Sequence, residues 1–306
     1  MKRALYWLGG LLSLLCAWYF VRSLGRHWDA VASIPWGRRP VLVASALALV
    51  LYVSTYAVAA GVWQRCLAAL GTQFDYRRAA IVLAISQFGK YLPGNVGHHV
   101  GRLALARGAG IPLDAAVASI LLETMLVVLA GVACSLPAVE LLLRVARERL
   151  PSHGAQADAL LSLAVCAGLV LAGGLGWFWF RRLETRPLRL ATSGRSLVVA
   201  WAGLCGSFAL GGTALYVLCT ALSTTTGSWM DVAGVYAAAW LLGFLVPGSP
   251  AGLGIRELVL LLGLSPMYGT SSATMAAALL RLVTVAGDGL VFLSATTVRS
   301  WTSPRA

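Results

Sequence analysis

The feature that most constrains this chain is a series of apolar blocks, each about 20 residues long, which is the length of helix that crosses the hydrocarbon core of a bilayer. Val41–Trp63 and Leu197–Leu222 are two of these blocks. The chain is 59% hydrophobic and 11% charged, whereas a soluble globular domain carries roughly 25% charged residues. We therefore predict an all-α integral membrane protein rather than a soluble domain.

Six of the apolar blocks are uninterrupted and predict full transmembrane helices. They lie near residues 4–22, 41–63, 113–137, 159–180, 197–222 and 271–298.

Two further apolar stretches are broken by proline and glycine. These are residues 79–111, around Pro93-Gly94, and residues 232–264, around Pro247-Gly248. Proline removes a helical hydrogen bond, so each stretch is expected to form two half-helices joined by a turn. Two short helices in succession predict a re-entrant hairpin, which membranes tolerate where the backbone is buried in protein or lines a cavity.

The two broken stretches occupy matching places in the two halves of the sequence. Pro93-Gly94 precedes Arg102 by the same spacing at which Pro247-Gly248 precedes Arg256. This match predicts an internal duplication, with a first membrane repeat at residues 1–158 and a second at residues 159–306. Each repeat would contain two spans, a broken hairpin and a third span.

The distribution of positive charge predicts the orientation of the chain. With a cytoplasmic N-terminus, the predicted cytoplasmic segments carry 14 Lys and Arg residues and the outer segments carry 7. Positive charge favours the cytoplasmic side, so both termini are predicted to be cytoplasmic. The two hairpins would then enter from opposite sides and the repeats would have inverted topology, as in many secondary transporters.

Several charged residues fall at predicted membrane depth, where charges are expensive and usually functional. Lys90, Arg102 and Arg256 flank the Pro-Gly turns, and arginine near the start of a half-helix suits a phosphate or a carboxylate. We predict these three as the binding site for a lipid phosphate. The candidates for gating or charge pairing are Glu123, Glu257, Arg281 and Asp288.

The alternative is that these charges only pair with one another and hold the fold. Glu123 and Arg281 occupy similar places in the spans that follow the two hairpins, so they are a candidate pair between the repeats. Arg256 has Glu123 or Asp288 as candidate partners. Both interpretations hold together if such a pair opens, because it then acts as a gate.

The net charge of +13 does not indicate nucleic-acid binding, because most arginines lie between apolar blocks rather than in a basic stripe. No nucleotide-binding loop or zinc-protease motif is present. His98 and His99 are adjacent and would point about 100° apart on a helix, so they are expected to give the turn polarity or to line a cavity rather than share a metal. We expect no metal, no cofactor and no enzymatic activity.

The motifs around both turns carry a family resemblance. Gly89-Lys90-Tyr91-Leu92-Pro93-Gly94 with Arg102, and Val246-Pro247-Gly248 leading to Arg256-Glu257, resemble the membrane region of bacterial lysylphosphatidylglycerol synthases. The resemblance covers nearly the whole chain and implies an inner-membrane protein that moves a lipid between leaflets. It also implies phospholipids or isoprenoid-phosphate lipids as partners. We expect a stand-alone member without the soluble synthase domain, and hence without its activity.

The sequence therefore predicts a flippase-like translocase for an anionic or phosphate-bearing lipid in the bacterial inner membrane. One alternative is a non-transporting accessory subunit of a lipid-modifying or glycosyltransferase system, which would have a membrane enzyme as partner. A weaker alternative is an intramembrane lipid transferase, for which Glu123 or Glu257 would have to act as the base.

Overall fold

We describe the fold from a computed structural model of the chain. The described residues are 29, 32–91, 97–149, 194–225, 227–245 and 250–302. Within these ranges the chain forms helices and connecting turns, without a strand. We number the α-helices in chain order: α1 Arg39–Ala69, α2 Tyr76–Gln87, α3 Gly97–Gly108, α4 Leu113–Arg149, α5 Gly194–Leu222, α6 Trp229–Leu245, α7 Ile255–Tyr268 and α8 Thr270–Thr302.

Four of these helices are long and apolar enough to cross a membrane. They are Arg39–Ala69, Leu113–Val145, Gly194–Leu222 and Thr270–Val298. Each coincides with a predicted span, so four of the six predicted spans are confirmed as candidates. The other two, near 4–22 and 159–180, lie outside the described residues.

One predicted boundary differs. The span predicted near 113–137 is part of a longer helix, because α4 continues to Arg149 with Pro137 inside it. The added turns carry Glu140 and Arg144, which contact each other at 3.0 Å one turn apart. Such i,i+4 pairs favour helix beyond an apolar span.

Both predicted hairpins contain a helix that stops and restarts. In the first, α2 ends at Gln87, a 3₁₀ segment covers Phe88–Tyr91, and α3 begins at Gly97. In the second, α6 ends at Leu245, a 3₁₀ segment covers Pro250–Gly252, and α7 begins at Ile255. The interruptions are thus confirmed, whereas the turn residues Pro93, Gly94, Pro247 and Gly248 lie outside the described residues.

The two members of each broken stretch pack against each other. Helix α2 contacts α3, and α6 contacts α7. In the first stretch, Gly89 lies so close to the start of α3 that a Cβ there would come within 2.7 Å of the Gly97 carbonyl carbon. Only a glycine allows this approach of backbone to backbone.

Most helix contacts come in matched pairs when α1–α4 are compared with α5–α8; the contact of α4 with α7 is an exception, because α3 and α8 have no contact of similar extent. Contacts α1–α2, α2–α3, α3–α4 and α1–α4 correspond to α5–α6, α6–α7, α7–α8 and α5–α8. Between the two sets, α1–α8 corresponds to α5–α4, α2–α8 corresponds to α6–α4, and α1 packs on its own counterpart α5. The described helices therefore have a two-fold pattern of packing.

The largest buried cluster includes side chains from α1, α4, α5, α6, α7 and α8. The two 3₁₀ segments contact each other, and there Tyr91 packs against Ala251 and Val285. By contrast, outward faces expose large apolar side chains such as Val50, Leu129 and Leu293. Apolar outer faces of this kind suit a lipid environment.

Candidate functional site

The helix interruptions lie beside a cavity of about 210 Å³. Its walls come from both sets of helices, and it contains all three residues predicted to bind phosphate, Lys90, Arg102 and Arg256. Glu123 lines the same cavity. The other polar lining residues include Thr55, Gln87, His98, His99, Thr124 and Ser207.

Arg102 is deeply buried and is held by an ion pair. It lies on α3 with 2% of its surface exposed, and one of its terminal nitrogens contacts a carboxylate oxygen of Glu123 on α4. Its guanidinium also lies over the ring of Trp63, 5.4 Å from the ring centre. The pair links the second half of the first broken stretch to the long helix that follows.

The second broken stretch has a corresponding pair with the charges exchanged. Glu257 on α7 lies 3.8 Å from Arg281 on α8. Glu257 also accepts a hydrogen bond of 2.7 Å from the amide of Gly254, which satisfies a free donor at the start of α7. Arg281 donates to the carbonyl of Ala251 at 3.3 Å. Glu123 and Arg281 were a candidate pair from their positions, but Glu123 contacts Arg102 and Arg281 contacts Glu257.

A third ion pair joins the two sets of helices. Lys90, in the first 3₁₀ segment, lies 2.7 Å from Asp288 on α8. Three tyrosine hydroxyls, those of Tyr52, Tyr56 and Tyr91, donate to the same carboxylate. Asp288 is 3% exposed, so its charge is stabilised by these donors rather than by water.

The tyrosines of this cluster were not predicted as site residues. Tyr52 and Tyr56 lie four residues apart in the first described span, and therefore on one face of α1. Two hydroxyls on one face of an apolar helix are a usable signal for a buried polar partner, because a buried hydroxyl without a hydrogen bond is costly.

Arg256 differs from the other cations of the cavity. Among the described residues it makes no ion pair with a carboxylate. Its predicted partners, Glu123 and Asp288, pair with Arg102 and Lys90 instead. Its guanidinium lies over the indole of Trp240, 5.7 Å from the ring centre. The ring of Trp240 also stacks on Phe244, with centres 5.2 Å apart.

The stem of Arg256 is fixed by two glycines. A Cβ on Gly243 would come within 2.6 Å of the Arg256 Cγ, and a Cβ on Gly252 within 2.9 Å of its Cδ. Gly252 has φ +74°, a left-handed conformation that favours glycine. The break in the second stretch thus forms a slot that directs this arginine to the cavity.

Four buried polar atoms have no hydrogen-bond partner among the described residues, and all four belong to side chains that line the cavity. They are Nδ1 of His98, Nδ1 of His99, Nε of Arg102 and Oγ of Ser207. The two imidazole rings lie side by side, with centres 3.8 Å apart. Buried polar atoms are normally satisfied, so their concentration in one place indicates that the cavity takes polar contents.

Among the described residues, no group of three His, Cys, Asp or Glu side chains is placed to hold a metal ion. The arrangement instead provides guanidinium groups, an ammonium group, hydroxyls and imidazoles around one cavity. Such groups bind oxyanions through charge-assisted hydrogen bonds.

The comparison with known protein families agrees with this architecture. The profile of the lysylphosphatidylglycerol synthase TM region matches residues 6–291. No match was found among curated proteins. With four helices of membrane-spanning length in the described part alone, the chain is a multi-pass membrane protein. It belongs to the family of the lysylphosphatidylglycerol synthase transmembrane region.

Proposed function

We propose that this protein is a lipid translocase that moves an anionic or phosphate-bearing lipid between the leaflets of the bacterial inner membrane. The observation that carries the proposal is the cavity with Arg256 in its wall, a cation without a carboxylate partner among the described residues. Arg256 is half-buried, and a cation at membrane depth without a counter-charge is unfavourable unless a ligand supplies the opposite charge. A lipid phosphate supplies that charge.

The proposed architecture has six full spans and two re-entrant hairpins, in inverted repeats at residues 1–158 and 159–306. Three observations support it: the matched helix contacts, the two interrupted helices, and the two ion pairs of exchanged polarity at corresponding places. The candidate site lies where the repeats meet, as expected for a transporter with alternating access.

In this proposal, Arg256 holds the lipid phosphate, and Lys90 and Arg102 contribute to the same electropositive cavity. Lys90–Asp288 is the gating pair, because it joins the two sets of helices and must be broken or moved when they rock apart. Arg102–Glu123 and Glu257–Arg281 keep each broken stretch attached to its following helix.

The proposal includes no catalytic step and no cofactor. Because the sequence has no nucleotide-binding loop, lipid movement would follow a gradient or run downhill to equilibrium. Cytoplasmic termini are proposed from the excess of Lys and Arg in the predicted cytoplasmic segments. The partners are membrane phospholipids or isoprenoid-phosphate lipids.

The test is leaflet exchange in vesicles that contain only the purified protein. A fluorescent lipid is introduced, and its accessibility to an impermeant quencher is followed over time. We expect faster exchange than in protein-free vesicles. If folded protein produces no increase, translocation by this chain is contradicted, and co-purification of a lipid-modifying enzyme with it would then support the accessory-subunit alternative.

A further inference from the structure

The charges around the cavity indicate which lipid headgroup it accepts. The inference drawn from them rests on the proposed function. Among the described residues, three cations line the cavity, Lys90, Arg102 and Arg256, together with one acid, Glu123. A ligand that enters a water-poor site must neutralise whatever charge the protein leaves uncompensated. What matters is therefore whether each cation already has a carboxylate partner.

Two of the three cations already have a carboxylate. Arg102 contacts Glu123, and Lys90 lies 2.7 Å from Asp288. Arg256 contacts the ring of Trp240 and has no carboxylate partner among the described residues. The described wall of the cavity thus has one uncompensated positive charge.

The polarity of the open hydrogen-bonding positions agrees with an anion. The Nε of Arg102 is buried, has no partner among the described residues, and can only donate. The Arg256 guanidinium likewise has donors only. At these two guanidinium groups the ligand must therefore present acceptor atoms, as phosphate oxygens do, whereas Nδ1 of His98 and His99 and Oγ of Ser207 can accept as well as donate.

A positively charged headgroup finds no free acid in this wall. Glu123 is engaged by Arg102, and Asp288 is engaged by Lys90 and three tyrosines. Aromatic rings also line the cavity and attract ammonium groups, but the indole of Trp240 already carries Arg256 and no ring supplies a formal negative charge. An ammonium group would therefore be buried without a counter-charge.

We propose that the site selects a lipid phosphodiester with one net negative charge, over a zwitterionic phosphodiester and over a doubly charged phosphate monoester. The single phosphate charge matches Arg256, and the rest of the headgroup is neutral. A zwitterion buries an unpaired ammonium, and a phosphate monoester brings a second negative charge without a partner.

The experiment compares three lipids with the same labelled acyl chain in vesicles that contain the purified protein. Phosphatidylglycerol carries one negative charge, phosphatidylethanolamine is zwitterionic, and phosphatidic acid carries two charges at alkaline pH. We expect phosphatidylglycerol to exchange at least about tenfold faster than either of the others, the ratio set by a difference of 1.4 kcal/mol in binding.

Changing the charge of the cavity should change this preference. Glu123→Gln leaves Arg102 uncompensated, so we expect the preference to move towards phosphatidic acid. Glu140→Gln is the matched control, because it removes the same charge from a side chain that is 86% exposed and should leave the preference unaltered. If Glu123→Gln does not fold, Arg256→Gln serves instead and should abolish the advantage of phosphatidylglycerol over phosphatidylethanolamine.

The outcomes separate this inference from the proposed function. Equal exchange of the three lipids, or fastest exchange of the zwitterion, would overturn the charge selectivity while translocation stands. Exchange of none of them by folded protein would overturn both. A soluble diester, glycerophosphoglycerol, tests whether the bound phosphate must belong to a lipid. It should not displace bound phosphatidylglycerol at equal concentration. Displacement would overturn the assignment of the ligand as a lipid.

Discussion

Asp288 provides the sharpest test of how the two sets of helices are held together. Its Oδ1 accepts from Tyr52 and Tyr56, and its Oδ2 accepts from Tyr91 and lies 2.7 Å from the Lys90 ammonium. A carboxylate has about four acceptor positions, so this one is fully used. Asp288→Asn keeps the shape but replaces one acceptor oxygen with an NH₂ group that faces two donors.

The substitution therefore leaves the Lys90 ammonium without its counter-charge and removes two of the four hydrogen-bonding contacts. Breaking a buried ion pair by changing one partner destabilises by about 3–5 kcal/mol, and we expect Asp288→Asn to fall in that range. Lys90→Met should be milder, about 1–3 kcal/mol, because three tyrosine hydroxyls still donate to the carboxylate.

The assay is the free energy of unfolding in mixed micelles, from a reversible titration with SDS. Glu140→Gln is the control, because its exposed pair with Arg144 should contribute no more than about 0.5 kcal/mol. The double variant Lys90→Met/Asp288→Asn should lose less than the sum of the two single losses, by about 0.5–3 kcal/mol. Additive losses, or a loss for Asp288→Asn as small as that of the control, would show that the Lys90–Asp288 pair does not hold the two sets of helices together.

Three further predictions concern the helix breaks and the orientation. Gly243→Ala would place a methyl group 2.6 Å from the Arg256 Cγ. Exchange of phosphatidylglycerol should therefore slow, and the free energy of unfolding should fall by about 1–3 kcal/mol. Unchanged exchange would show that the two glycines do not set the position of Arg256. Gly89→Ala would push the first 3₁₀ segment off the start of α3 and should lower the thermal stability of the purified protein, whereas wild-type stability would show that the contact relaxes freely. Reporter fusions should read periplasmic after residue 25 and cytoplasmic after residue 306; a periplasmic C-terminus would reverse the proposed orientation.

The membrane spans were the most predictable part of the fold. The length of an apolar block is set by bilayer thickness, so spans can be recognised without knowledge of their neighbours. The helix interruptions were also predictable, because proline and glycine act on the local backbone. By contrast, the extension of α4 to Arg149 depends on local pairs such as Glu140–Arg144, which hydropathy alone does not detect.

The partners of the buried charges could not be predicted in the same way. The sequence indicated that Glu123, Arg281 and Asp288 would be paired, because unpaired charges are costly in a membrane. It did not indicate which cation each would contact, since the rotation of each helix is fixed by packing. Arg102 reaches Glu123 because α3 packs beside α4, and Lys90 reaches Asp288 because the first 3₁₀ segment contacts α8.

The sequence motif of Arg256, which matches that of Arg102, likewise did not indicate that Arg256 has no carboxylate partner among the described residues. Arg102 is followed by a long helix that offers Glu123. In the second set of helices, the acid Glu257 is next to Arg256 in sequence but contacts Arg281 and the start of its own helix. This asymmetry between two similar motifs is what makes Arg256 the candidate anchor for a phosphate.

The measurement that tests this central claim most directly is the rate of phosphatidylglycerol exchange in vesicles containing Arg256→Gln. Arg77→Gln is the control, because it removes the same charge from an exposed position at the start of α2. Loss of a charge-assisted hydrogen bond of about 1.5–3 kcal/mol predicts a rate about 10- to 100-fold lower for Arg256→Gln, at wild-type stability, with Arg77→Gln close to wild type. Equal rates for the two variants would contradict the assignment of Arg256 as the phosphate anchor.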